Sequence, residues 1–351
     1  MKNLMPSCCS YNTSIFSVAL VSLLLLSTAK GGTNYTITDL GVLRGTESDA
    51  RGINDRGEVV GNSTSPFLYS NGQMHDLGTF GGVFAYAEGV NNLGQVVGYF
   101  RVPGDPGGPA TDIDHAFLYS NGQTYDLNVL SGIDRADSSA AYGVNDRGQI
   151  VGWLDNTGFS QHAFLYSHGQ MHDLGTFGGG RNSQAFGVND HSQAVGFSNG
   201  NTSFGHAFLY SDGQIHDLGT LGGPISEAYA VNNRGQVVGF GYTVSFSQHA
   251  FLYSDGRMHD LGTLGGGYSY ANAVNKHGQV VGVSATTGSF PEHAFLYTDG
   301  SMLDLNNLLL ANSGWILVSA TGINEAGEIC GNGVHNGQNR AFLLTPIRQK
   351  R

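Results

Sequence analysis

Three short phrases each occur seven times along this chain, and that regularity restricts its fold more than any other property. The first is Gly/Ala-Ile/Val-Asn, at Gly52–Asn54, Gly89–Asn91, Gly143–Asn145, Gly187–Asn189, Ala230–Asn232, Ala273–Asn275 and Gly322–Asn324. The second is built on Ala-Phe-Leu and centres on Phe67 (as Pro-Phe-Leu), Phe117, Phe164, Phe208, Phe251, Phe295 and Phe342. The third is Asp-Leu, beginning at Asp39, Asp76, Asp126, Asp173, Asp217, Asp260 and Asp304. Through the middle of the chain the phrases return every 43 to 47 residues, within the range of propeller blades.

Each copy reads as two hairpins. "AYAVNNRGQVVGF" places apolar residues on both sides of an Asn/Gly turn, and "AFLYSDGQIHDLG" does the same around "SDG". Four short strands per copy follow, with no sustained helical period; "LNNLLLANSG", from Leu305 to Gly314, allows one helical turn in a connection. The two ends are complementary fragments. "TITDLG" (Thr36–Gly41) carries an Asp-Leu strand with no Ala-Phe-Leu strand before it, and "RAFLLTP" (Arg340–Pro346) has the reverse. An open solenoid would need polar caps on its terminal repeats, whereas joining these ends closes a ring and removes the exposed edges. The expected fold is all-β: a seven-bladed β-propeller of four-stranded antiparallel blades, its last blade completed by the N-terminal strand. We letter the strands A to D from axis to rim, beginning with the Asn phrase.

Composition narrows the partners. The chain has 351 residues, 54 of them Gly, only 12% charged, and a formal net charge of −11. That balance lacks the cationic footprint that nucleic acid or an anionic membrane requires. Residues 15–29, "IFSVALVSLLLLSTA", end in small residues at a plausible cut before Lys30, so 1–29 reads as a signal peptide and 30–351 as one propeller domain, secreted to the extracellular space or periplasm. An uncleaved anchor is the alternative reading, but the run is short of the roughly 20 residues needed to span. After cleavage no membrane span is expected. Cys8 and Cys9 would leave with the leader, and Cys330 reads as a small buried strand residue. Asn34, Asn62 and Asn201 begin glycosylation sequons.

The phrases "HAFLYS-G", "HDLGTLGG" and "AVN-GQVVG" resemble the HAF-repeat family of extracellular repeat proteins, over roughly residues 36–345. The resemblance implies secretion and a repeat fold, and it assigns no reaction.

Thirteen histidines suggest a metal. His115, His162, His206, His249 and His293 open strand C, and Asp76, Asp173, Asp217 and Asp260 close strand D. Equivalent positions on separate blades converge only at the axis, while zinc needs its ligands about 2 Å from one ion. These side chains are therefore expected to satisfy hydrogen bonds inside each blade. Asp105, Asp112 and Asp114 in the longest B–C connection offer oxygen ligands for Ca²⁺, without the EF-hand spacing, so a solvated loop is favoured.

Strand alternation puts the uniform A–B and C–D turns on one face and the variable B–C and D–A connections on the other. Blade-specific loops can recognise a partner. Tyr99, Trp153, Phe204, Tyr242 and Trp315 on that side are the candidate binding residues, for a protein or a glycan, with no cofactor and a monomeric chain expected. The alternative is a polysaccharide-directed lyase or hydrolase at the channel mouth. Titratable groups outside the repeat pattern, Glu88, Glu227, Glu292, Asp134, Asp137, His191 and His335, are the candidates for it.

Overall fold

The computed structural model describes residues 34–103, 113–132, 137–156, 160–200, 204–287, 292–310 and 312–347. The leader read from 1–29 lies outside them. Strands of four to ten residues dominate, and helix is confined to single turns such as Leu127–Ser131 and Leu305–Leu308. Among the described residues no helix is long and apolar enough to cross a membrane.

The strands pair as five four-stranded antiparallel sheets and one of eight, itself two four-stranded sets joined by the single parallel pair Gln248–Tyr268. Within each of the first six sets, strands A to D follow in sequence order. In the last, Trp315–Ile323, Ile329–His335 and Gln338–Pro346 are completed by the N-terminal strand Tyr35–Asp39, which runs antiparallel to Gln338–Pro346 from Tyr35 opposite Pro346 to Asp39 opposite Phe342. The A strands (Asp49–Ile53, Phe84–Val90, Ser139–Val144, Ser183–Val188, Gly222–Val231, Gly265–Val274 and Trp315–Ile323) touch one another in order, and the last touches the first. A closed ring of sheets with strand A innermost is the result.

The core lies between neighbouring sheets. Phe67, Phe117, Phe164, Phe208, Phe251, Phe295 and Phe342 are all fully buried. Phe208, for example, packs with Ala185 and Ala194 of its own unit and with Val151 and Ala163 of the preceding one. A buried serine at the entrance to strand A ties the units further: Ser183 Oγ accepts the Ala163 N–H (2.9 Å) and donates to the Gly175 carbonyl (2.6 Å), and Ser226 and Ser269 repeat the arrangement. The C–D turns carry positive φ at both central residues, as at Asp212-Gly213 and Asp255-Gly256, the hairpin turn whose twist matches the strands.

Candidate functional site

Every strand A breaks register with strand B at the same point. Pairing skips from Ala50 to Gly52, Ala87 to Gly89, Ala141 to Gly143, Ala185 to Gly187, Ala228 to Ala230, Ala271 to Ala273 and Ala320 to Gly322. The residues skipped are Arg51, Glu88, Tyr142, Phe186, Tyr229, Asn272 and Thr321. A β-bulge re-aims the side chain it carries, and here it lifts one residue per unit out of the pleat of the innermost strand. Arg51 is exposed and the other six are half-buried.

Their contacts run around the ring. Arg51 Nη1 lies 4.0 Å from a Glu88 carboxylate oxygen. Ring centroids are 5.3 Å apart for Tyr142–Phe186 and 5.5 Å for Phe186–Tyr229. Asn272 Nδ2 donates to the Ala320 carbonyl (2.8 Å), and Thr321 Oγ1 donates to the Ala50 carbonyl (3.1 Å), beside Arg51. Along the innermost strands these side chains fall into three sectors, together called the axial chamber below: charged at Arg51 and Glu88, aromatic from Tyr142 to Tyr229, small and polar at Asn272 and Thr321.

Strand B backs the aromatic sector. Trp153 Nε1 donates to the Tyr142 hydroxyl (3.0 Å), Phe197 lies 6.1 Å from Phe186, and Phe240 lies 5.9 Å from Tyr229. Tyr99 and Tyr86 stack beside Glu88, their centroids 5.3 Å apart. The Tyr229 hydroxyl donates to Glu227 at 3.2 Å.

Burial governs the charges of this chamber. It pushes the Glu88 carboxyl up to about 7, against the lowering pull of Arg51 and with a further push from Asp49. Glu227 is raised for the same first reason, the Tyr229 hydrogen bond opposing it. Burial pushes the Tyr99 hydroxyl to about 12, helped by Glu88, and raises those of Tyr142 and Tyr229. Burial works against the Arg51 cation, but Glu88 and Asp49 outweigh it, and Asp49 Oδ2 sits 2.7 Å from Nε.

The uniform face closes the axis differently. Asn54, Asn91, Asn145, Asn189, Asn232, Asn275 and Asn324 each donate Nδ2 to the carbonyl of the next Asn, at 2.8–3.2 Å, and Asn324 returns to Asn54. Each Oδ1 meanwhile accepts the N–H groups two and four residues on, as Asn189 does from His191 and Gln193. The following residues make a parallel ring in which a side-chain oxygen accepts the neighbour's N–H: Asp55 to Asn92, Asn92 to Asp146, Asp146 to Asp190, Asp190 to Asn233, Lys276 to Glu325 and Glu325 to Asp55. The series breaks at Asn233, because Lys276 has no acceptor to offer.

The strand C histidines all bond within their own unit. Nδ1 of His115, His162, His206, His249 and His293 lies 2.7–3.0 Å from Asp126, Asp173, Asp217, Asp260 and Asp304 respectively. Where strand C lacks the histidine, Ser65 donates to Asp76 (2.6 Å) and His335 of strand B meets Asp39 (3.1 Å). Each aspartate also accepts the backbone N–H two residues later, as Asp173 does from Gly175 (2.7 Å). Among the described residues no group of three metal-ligating side chains comes together.

Of the candidate binding aromatics, Tyr99 and Trp153 back the chamber. Tyr242 sits one step further out, 6.2 Å from Phe240. Phe204 is half exposed on its B–C connection. Trp315 does not join them: it stacks on His335 at 4.5 Å and packs against the core of the last sheet, because the first residue of this longer strand A pairs with His335. Glu88 and Glu227 reach the chamber, and Glu292 accepts a hydrogen bond from Tyr268. His335 belongs to the Asp39 pair and His191 to an A–B turn, while Asp134 lies outside the described residues. Of the Ca²⁺ set, Asp114 is held by Arg101 through two bonds of 2.8 and 2.9 Å, and Asp105 and Asp112 fall outside the described residues. Asn62 is no glycosylation site in the folded chain, being buried with its amide bonded to Ala87 of the next unit. Cys330 is buried, as its strand position implied, with its thiol pushed up to about 12 by burial.

Arg51, Tyr142, Phe186 and Tyr229 were not singled out by sequence reasoning. The signal was available: in the phrase Ala-x-Gly/Ala-Val/Ile-Asn, x is Arg, Glu, Tyr, Phe, Tyr, Asn and Thr in turn.

Solved structures place this architecture in a class. The β-propeller domain of the Trilobed protease from Pyrococcus furiosus matches at 10% identity and TM-score 0.50, over 77% of this chain and 85% of that one. A Mycobacterium tuberculosis puromycin-hydrolyzing peptidase matches at 9% identity and TM-score 0.50, over 84% of this chain and 49% of that one. TolB from Acinetobacter baumannii matches at 13% identity and TM-score 0.43, over 73% of this chain and under two thirds, 64%, of its own. The chain is a β-propeller. No protein-family model and no curated protein matches it. The Pyrococcus domain is described as having an open velcro topology, whereas here Tyr35–Asp39 pairs with the last strand.

Proposed function

We propose that this protein is a secreted, noncatalytic propeller of the HAF-repeat kind that recognises a protein or glycan, with the axial chamber seating the ligand and the variable connections forming its rim. One observation carries the reading: the position that the bulge re-aims is the one at which the otherwise uniform strand A phrase varies, and it sets cationic, acidic, aromatic and amide groups in succession along the innermost strands. A residue kept for folding would repeat with the fold, as the buried phenylalanines do. The test is a glycan array and a protein pull-down with residues 30–351 and with Phe186→Ala. The reading expects a partner that the wild type captures and the variant does not. Capture that ignores Phe186→Ala contradicts it.

A second reading, a polysaccharide-directed lyase or hydrolase at the channel mouth, is favoured by Glu88, whose value of about 7 suits an acid–base group. Turnover of a polysaccharide that disappears with Glu88→Gln would establish it.

A further inference from the structure

Chamber geometry narrows the ligand class, given the reading that the chamber is the seat. Tyr142, Phe186 and Tyr229 form a continuous row of three rings, the second plane turned 46° from the first and the third 70° from the second. Such a row offers ring faces and edges at changing angles, so a flat apolar surface stacks on one ring and meets the edges of its neighbours. Carboxylates stand at both ends of it, Glu88 on the strand A before Tyr142 and Glu227 two residues from Tyr229. Across the axis are Asn272, with Oδ1 unused by its bond to Ala320, and Thr321.

The charge is unbalanced. Arg51 is shared between Asp49 and Glu88, while among the described residues Glu227 is bonded by the Tyr229 hydroxyl. Among the described residues Glu88 makes no hydrogen bond, its charge partner being Arg51 at 4.0 Å. A partly buried carboxylate without a donor is costly, and a ligand cation would supply both charge and donor.

We infer that the chamber takes a saccharide bearing free ammonium groups, its apolar ring face against Phe186 between Tyr142 and Tyr229 and its ammonium groups against Glu88 and Glu227. The hydroxyl groups of such a sugar face Asn272 and Thr321. A neutral glycan would bring no further cation to either carboxylate, and an anionic one would add to their charge.

The test is calorimetric titration of the mature chain with a glucosamine tetramer, its fully N-acetylated counterpart and a tetralysine peptide. The glucosamine tetramer is expected to bind at least about tenfold more tightly than either. Phe186→Ala and Glu227→Gln should each weaken it by at least about tenfold, with circular dichroism and cooperative unfolding showing both variants folded. Equal binding of the N-acetylated tetramer overturns the inference, as does equal or tighter binding of tetralysine. If the glucosamine tetramer fails to bind while another partner is captured by the wild type and lost in Phe186→Ala, the ammonium assignment falls and the chamber stands. If capture of every partner ignores Phe186→Ala, both fall.

Discussion

Asn324 donates its side-chain Nδ2 to the carbonyl oxygen of Asn54 at 3.0 Å, across 270 residues of chain. The bond is the last of a cycle in which each unit's turn asparagine holds the next, so it closes at the axis the ring that Tyr35–Asp39 closes at the rim.

Each member of that cycle is buried and makes four bonds, so truncation should be expensive. Asn189 bonds Asn232, the Gln193 side chain and the N–H groups of His191 and Gln193. Asn189→Ala orphans several of these groups and is expected to lower unfolding free energy by about 2–4 kcal/mol, read by urea denaturation.

The outer cycle is broken where Lys276 faces the N–H of Asn233. Lys276→Asn supplies the missing acceptor and removes only an exposed 3.8 Å pairing with Glu325. Urea denaturation should show a gain of about 1 kcal/mol.

Glu88 should make stability depend on pH near neutrality. Its folded value of about 7 lies above the ordinary 4.5, so between those values the folded state holds more protons and stability falls as pH rises. Glu88→Gln removes that penalty. The variant should match the wild type near pH 4.5 and exceed it above pH 7 by up to about 3 kcal/mol. A variant less stable than the wild type at pH 8 would contradict the account of the chamber's charge.

The His–Asp pairs differ in depth, and their energies should follow. His115 is nearly buried against Asp126, whereas His206 is half-buried and Asp217 exposed. Asp126→Ala is expected to cost about 2–3 kcal/mol and Asp217→Ala about 1 kcal/mol or less. Burial raises the Asp126 carboxyl, but His115 and the backbone N–H groups outweigh it and leave the value depressed. Its contribution is therefore present above the unfolded carboxylate value and lost as pH falls through the folded one.

Repeats and strand alternation made the ring legible, because the Asp-Leu strand at the start and the Ala-Phe-Leu strand at the end are halves of one unit. The pairing of each strand C histidine with its strand D aspartate was legible too, both lying within one hairpin. The asparagine cycle was not. Asn in a turn suggests a local bond, and the second use of its amide depends on the carbonyl of another unit. Nor was the chamber. A period of two assigns the residue after Ala50 or Ala141 to one face of the sheet, and only the bulge turns Arg51 and Tyr142 to the axis. Glu88 and Glu227 were found by their singularity; Phe186 and Tyr229 looked like ordinary strand residues. Trp315 was misleading for the opposite reason, being rare and near a variable connection yet committed to His335.

The most direct measurement uses the two tryptophans of the chain. Trp153 bonds Tyr142 at the chamber wall, and Trp315 stacks in the last sheet. Fluorescence of Trp315→Phe reports Trp153 alone, and that of Trp153→Phe reports Trp315 alone. Saturating each with a captured partner should shift the emission of Trp153 and leave that of Trp315 unchanged. A shift confined to Trp315 would contradict recognition at the axis.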